Sequence, residues 1–169
     1  RMVTQGFDPF RYNPEGARQF ERRWVDARTV DSAVPDTADA RELELRRGIA
    51  EALAGGNFEG AARRYLDLIA AAPQAVLPRQ QQLDVANQLM SAERFPEAAE
   101  AYERFLRHHA GYEHVADIYL MLGLVYGRYL RKDEPAEKYL QLAVENLHDA
   151  RKIDLARADL EQVRSRRRA

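Results

Sequence analysis

Cysteine is absent from this 169-residue sequence. Disulfides, thiolate nucleophiles and Cys-based zinc sites are absent with it, although the compartment stays open. Aliphatic hydroxyl side chains are nearly as scarce, limited to Ser32, Ser91, Ser165, Thr4, Thr29 and Thr37. Ser91 lacks the glycine-flanked elbow that exposes a hydrolase nucleophile. No Gly-rich phosphate loop exists: Gly55-Gly56 leads into Asn57, and no lysine is followed by serine or threonine. The longest apolar stretch, around 119–126, falls far short of the ~20 residues that span a bilayer. A surplus of positive charge is missing too. Basic and acidic residues number 26 and 27, for a net charge of −1, so nothing general attracts nucleic acid. These absences exclude the commonest catalytic, redox and membrane-spanning readings.

What remains is 46% apolar and 31% charged, the balance of a folded soluble chain rather than a disordered one. Its length suits a single domain or a short array of small repeats. The first 39 residues stand apart, with Pro9, Pro14 and Pro35 and the aromatics Phe7, Phe10, Tyr12, Phe20 and Trp24. Asn13-Pro14-Glu15 is a sound helix start, and Phe20 and Trp24 share one face four residues apart, which predicts a short amphipathic helix. A polar linker at 29–35 follows.

From Asp36 onward the pattern is helical. Gly55-Gly56, the stretch between Pro73 and Pro78, Phe95-Pro96, Gly111 and the stretch from Lys132 to Pro135 punctuate helix-length segments. Sustained period-two alternation and hairpin dipeptides are missing, so an all-α chain is expected. Three stretches align: Gly56-Asn57-Phe58-Glu59-Gly60-Ala61, Glu93-Arg94-Phe95-Pro96-Glu97-Ala98 and Lys132-Asp133-Glu134-Pro135-Ala136. Each brings a turn, a small residue (Ala61, Ala98, Ala136) and, four positions on, a large one (Tyr65, Tyr102, Leu140). The small residues lie 37 and 38 apart. A two-helix unit of that size is a solenoid repeat, because one hairpin cannot bury its own apolar face.

In these places the chain resembles the tetratricopeptide repeat family. The second copy runs from Val85-Ala86 and Leu89 through Phe95-Pro96-Glu97-Ala98 to Tyr102 and Phe105-Leu106. The third carries Tyr119, Leu122-Gly123 and Tyr126, then Ala136, Leu140 and Ala143. The first keeps Ala61, Tyr65, Leu68 and Pro73, but Gly48 stands where a large apolar residue is usual. The resemblance implies a right-handed α-solenoid of about three hairpins (40–75, 79–112, 116–149), preceded by the extension 1–39. A capping helix over 150–169, with Ile153, Ala156, Leu160 and Val163 on one side, completes it. Two departures stand out. The units exceed the family's usual length of roughly thirty-four residues, with the surplus at 76–78, at 113–115 and one residue before Ala136. Phe105 also fills a place commonly held by alanine.

The family binds partner peptides or helices on the concave side, along the first helix of each unit. By place, the resemblance assigns that face to Arg46 and Ala50, to Gln80, Leu83, Asn87, Met90 and Ser91, and to Asp117, Leu120, Leu124 and Arg128. The competing expectation is that these side chains belong to the core or pack on the N-terminal segment. The clamp that grips acidic chaperone tails is incomplete, since Arg46 and Ala50 hold its first places and Asn87 is isolated.

The expected function is a non-catalytic adaptor for another protein or peptide, with no cofactor, no metal and no nucleic acid. The competing class is a soluble accessory domain of a larger enzyme or assembly, a membrane-embedded one in particular, whose active site lies outside this chain; a location in the cytoplasm or at the cytoplasmic face of a membrane is the expectation. His108, His109, His114 and His148 read as capping or structural residues, because adjacent helical residues diverge by about 100°. The carboxylates are interleaved with arginines at helical spacings, as on solvated faces. Three expectations stand for Phe20 and Trp24: they dock on the repeats, they join two copies into a homodimer, or their segment is a juxtamembrane connector. The arginines at 164–168 read as a solvated terminus, with RNA or lipid contact as the alternative.

Overall fold

The computed structural model describes residues 37–169, and over these it contains helices and no strands. Seven helices follow in order: α1 Thr37–Ala54, α2 Phe58–Ala71, α3 Arg79–Ser91, α4 Phe95–His108, α5 Val115–Leu124, α6 Asp133–Asn146 and α7 Ala150–Arg168. The all-α expectation holds for this part of the chain.

The punctuation works as the residues suggest. Gly56 adopts φ 77° after α1, and Asn57 then caps α2, its side-chain oxygen accepting from the Gly60 N–H at 2.9 Å. Pro78 precedes α3 in an extended conformation, and Pro96 sits in the first turn of α4. Asp149 caps α7 by accepting from the Arg151 and Lys152 N–H groups. α6 has no side-chain cap; Asp133 lies in its first turn and faces Arg166.

One geometry recurs at the three tight turns. Gly56, Glu93 and Arg131 all take the left-handed conformation, at φ 77°, 59° and 54°, each two residues before the next helix begins. After the first two, a backbone N–H reaches back five residues, Asn57 to Ala52 at 2.7 Å and Arg94 to Leu89 at 2.9 Å, the longer bond of a Schellman closure. At the third, Lys132 reaches back six residues, to Tyr126 at 2.9 Å. The difference is a π-helical turn, Val125–Tyr129, closed by Leu130 N–H to Val125 C=O at 2.9 Å. A π-turn is a one-residue insertion inside a helix. The single surplus residue before Ala136 is therefore absorbed in the turn that continues α5.

Packing follows chain order. α1 lies on α2, α3 on α4, α5 on α6 and α6 on α7, with α2–α3 and α4–α5 joining successive pairs and α1–α3 and α5–α7 meeting as alternate helices. Ala61, Ala98 and Ala136 are wholly buried, as are Tyr102 and Leu140, with Tyr65 all but buried. These positions let the helices approach while the large residues fill the layer between them. At Gly123 a Cβ would stand 3.2 Å from the Leu140 backbone nitrogen, so α5 needs glycine there. At Gly48 the Arg64 side chain lies across the helix, 3.0 Å from where a Cβ would be. A polar side chain thus covers the degenerate place in α1.

The longer connections are not slack. Ala75 and Leu77, in the α2–α3 connection, are core residues. Phe105 is fully buried, with Tyr112 from the α4–α5 connection edge-on at 5.3 Å and His109 tilted at 5.2 Å. The oversized side chain is thus packed by rings from the end of α4 and from the α4–α5 connection.

Candidate functional site

The inner stripe assigned by resemblance divides in two. On α3, Gln80 and Asn87 are exposed and Leu83 and Met90 half-buried, with Ser91 exposed at the end. Gln80 donates to Asp84 at 2.8 Å, and Asn87 accepts from the Tyr102 hydroxyl at 2.6 Å, which fixes its amide. Beside them on α1, Ala50 is half-buried. Arg46 is tied down, donating to the Val76 carbonyl at 2.8 Å and to Glu42 at 3.0 Å. It straps α1 to the α2–α3 connection and is only partly available to a partner.

On α5 the stripe is occupied from within the chain. Asp117 accepts from Lys152 at 2.8 Å, and Arg128 grips Asp159 with two bonds of 2.7 and 2.8 Å. Those contacts lay α7 along the stripe in parallel, and between them Leu120 is buried and Leu124 half-buried. Leu120 is therefore part of the core, on the side of α5 along which α7 lies. Asp159 is itself almost wholly buried, and its hydrogen bonds raise the Arg128 pKa above the ordinary value. The same Asp117 contact raises the Lys152 pKa.

The basic C-terminal turn is paired with acceptors of its own chain. Arg164 donates to Glu137 and Gln141, Arg166 to Asp133 and the Gly127 carbonyl, Arg167 to Glu137, and Arg168 to Glu161. The bond to Gly127, at 3.0 Å, satisfies a carbonyl inside the π-turn. The hydrogen bonds from Arg164 and Arg167 hold the Glu137 carboxyl below its ordinary pKa.

A buried polar network lies outside the stripe altogether. Gln82 has no exposed surface; its oxygen accepts from Leu77 N–H at 3.1 Å, and its amide donates to the Tyr65 hydroxyl and the Ala101 carbonyl at 3.0 Å each. Arg104, almost equally buried, donates to the Pro73 and Ala75 carbonyls at 2.6 and 2.7 Å and pairs with Glu100. His109 meets the Leu77 carbonyl at 3.1 Å, and a carbonyl only accepts, so its Nε2 carries a proton. Together they fasten the α2–α3 connection to α4. Sequence reasoning missed both Gln82 and Arg104. Their signal was their spacing: Gln82 shares a helical face with Val85, Ala86 and Leu89, and Arg104 lies beside Ala101 and Phe105.

A second cluster gathers where α4, α5 and α6 meet. Tyr139 lies between Tyr126 and Tyr119, with ring centroids 6.1 and 6.3 Å away. One oxygen of Glu103 accepts from the Tyr126 hydroxyl at 2.6 Å and the Tyr139 hydroxyl at 3.3 Å. Burial, reinforced by the Glu103 charge, pushes the Tyr139 phenol up to about 12 and raises Tyr126 as well. Above this floor opens a pocket of about 480 Å³, with Leu106 and Arg107 on one wall and Lys138 and Leu142 on the other.

Among the described residues no three His, Asp or Glu side chains converge as metal ligands would, and no helix is long and apolar enough to cross a membrane. Phe20 and Trp24, assigned to docking or self-association, lie outside the described residues. The chain matches no protein-family model, and comparison with curated proteins returns no significant relative.

Proposed function

We propose that this chain is a non-catalytic protein-association module, a right-handed α-solenoid of three tetratricopeptide-like hairpins closed by α7. In this reading it receives a peptide or helix of another protein along α3. The observation that carries the reading is the repetition of one packing scheme. In each hairpin a left-handed turn residue is followed five residues later by a wholly buried alanine (Ala61, Ala98, Ala136), and four residues on by a buried large side chain. Hairpins built alike and packed in chain order stack into an array, and arrays of this kind present extended faces for partners. The half-buried apolar pair Leu83 and Met90, flanked by Gln80 and Asn87, has the composition of a helix-in-groove site, with methionine able to re-pack against different ligands.

The test is affinity capture followed by cross-linking on the intact chain and on two variants, Leu83→Glu and Asn87→Ala. The expected result is partner recovery reduced at least about tenfold by Leu83→Glu, the loss of one well-packed anchor. Arg63→Glu, a change on exposed α2 surface, is expected to leave recovery unchanged. Equal recovery from folded forms of all of them would overturn the reading. Leu120→Glu is unsuitable as a probe because it places a charge in the core.

A further inference from the structure

We infer that the pocket between α4 and α6 is a second docking point, built for an acidic segment of a partner protein in which a carboxylate stands beside an aromatic or large aliphatic side chain. The pocket shares no residue with the α3 stripe. Its apolar surface comes from Leu106, Leu142 and the Tyr119 ring, a bed for one large apolar side chain. Two cations stand at its mouth. Lys138 lies over the Tyr139 ring at 5.1 Å and forms no ion pair among the described residues. Arg107 is more than half exposed and has only a long contact to Glu100, at 3.8 Å.

Glu103 is the one acid in the lining, and its charge is directed inward, since a single oxygen takes the hydroxyls of both Tyr126 and Tyr139. The mouth is therefore cationic over an apolar bed. Electrostatic complementarity selects a carboxylate, which the Arg107 guanidinium can meet with two parallel bonds. The pocket is shallow and open, so it accepts side chains that protrude from a larger partner rather than enclosing a small molecule. Exposed ion pairs are weak and salt-sensitive, so binding here is modest and falls as ionic strength rises.

The probe is the capped peptide Asp-Glu-Phe-Asp-Glu, titrated into the full-length isotope-labelled chain and followed by NMR. The expected result is saturable shifts at Leu106, Tyr119 and Leu142, an affinity at least about fivefold weaker in Arg107→Glu/Lys138→Glu, and no binding of a peptide with lysine in place of each acid. Both substituted residues are exposed, and if the double variant still failed to fold, the lysine peptide and salt series on the native chain decide alone. Absent shifts, shifts centred on Leu83 and Met90, or equal affinity in the folded variant would overturn the proposal. Two further outcomes also overturn it by naming another occupant. If the double variant changes the emission of Trp24, the sole tryptophan, at every protein concentration and without peptide, the chain's own N-terminal segment fills the pocket. If sedimentation shows a dimer that the double variant abolishes, a second copy does. Failure at this pocket leaves the α3 test untouched, because the two read out on different residues.

Discussion

Glu93 and Arg131 hold a backbone conformation that a β-carbon disfavours, and glycine does the same work at position 56. Glu93→Gly and Arg131→Gly are each expected to raise the unfolding free energy by ~0.5–1 kcal/mol, seen as a higher urea midpoint with an unchanged slope. Gly56→Ala is expected to lower it by about 1–2 kcal/mol. At Gln82 the direction reverses. Gln82→Leu removes the partner of the Leu77 N–H, the Tyr65 hydroxyl and the Ala101 carbonyl together, and is expected to cost ~1–3 kcal/mol by thermal or urea unfolding. Stability unchanged by Gln82→Leu would mean that water or a shift of the α2–α3 connection replaces all three bonds. These two kinds of residue differ in how openly the sequence shows them. Gly55-Gly56 announces its turn through composition, whereas Glu93 and Arg131 show theirs only by alignment with it. Gln82 hides within a run of three glutamines that suggests solvent.

At the scale of the helix, the boundaries were largely legible because glycine, proline and capping residues act locally. The small-then-large spacing likewise marked the core face of α2, α4 and α6. What stayed hidden depends on neighbours distant in sequence. The stripe of α5 is a regular helical face, and nothing in it distinguishes cover by α7 from exposure to a partner; that is decided by Lys152 and Asp159, some thirty residues away. The same pairing makes α7 sensitive to its ion pairs. Arg128→Ala leaves the buried Asp159 without its bidentate partner and is expected to cost ~1–3 kcal/mol, discounted because Arg128 itself is half exposed. Acid acts on the other edge of α7. The Glu137 pKa is depressed in the folded chain, so its contribution is present above the ordinary value of 4.5 and is lost as pH falls through the lower folded value. Protection of α7 amides in hydrogen exchange is therefore expected to decline below about pH 4.5 before the other helices yield, and Glu137→Gln to show that lower protection already at neutral pH.

For the molecule as a whole, four buried or part-buried phenols set an alkaline limit. Burial raises the pKa of Tyr65, Tyr102, Tyr126 and Tyr139 in the folded chain. A phenol with a raised folded pKa contributes stability that is complete below its ordinary value of 10.0 and disappears as pH rises through the folded value, about 12 for Tyr139. Absorbance at the phenolate band is expected to show a late-titrating group of tyrosines whose ionisation coincides with loss of helical circular dichroism. Tyr139→Phe is expected to remove one of them. Ionisation of every tyrosine near pH 10 with helicity intact would contradict the packing described for these rings. Because contacts run between neighbours in the chain, the cluster around Tyr139 reports on α4 to α6, while Tyr65, bonded to Gln82, reports on α2 and α3.

The extra residue held in the Val125–Tyr129 turn makes the third hairpin a different kind of brick from the second. An inserted residue advances a regular helix by about 100°, and the wider turn takes up that rotation, so Ala136 and Leu140 return to the buried places that Ala98 and Tyr102 hold one unit earlier. The turn works as an expansion joint does, taking up one residue of slack in the chain while the packing on either side of it stays aligned.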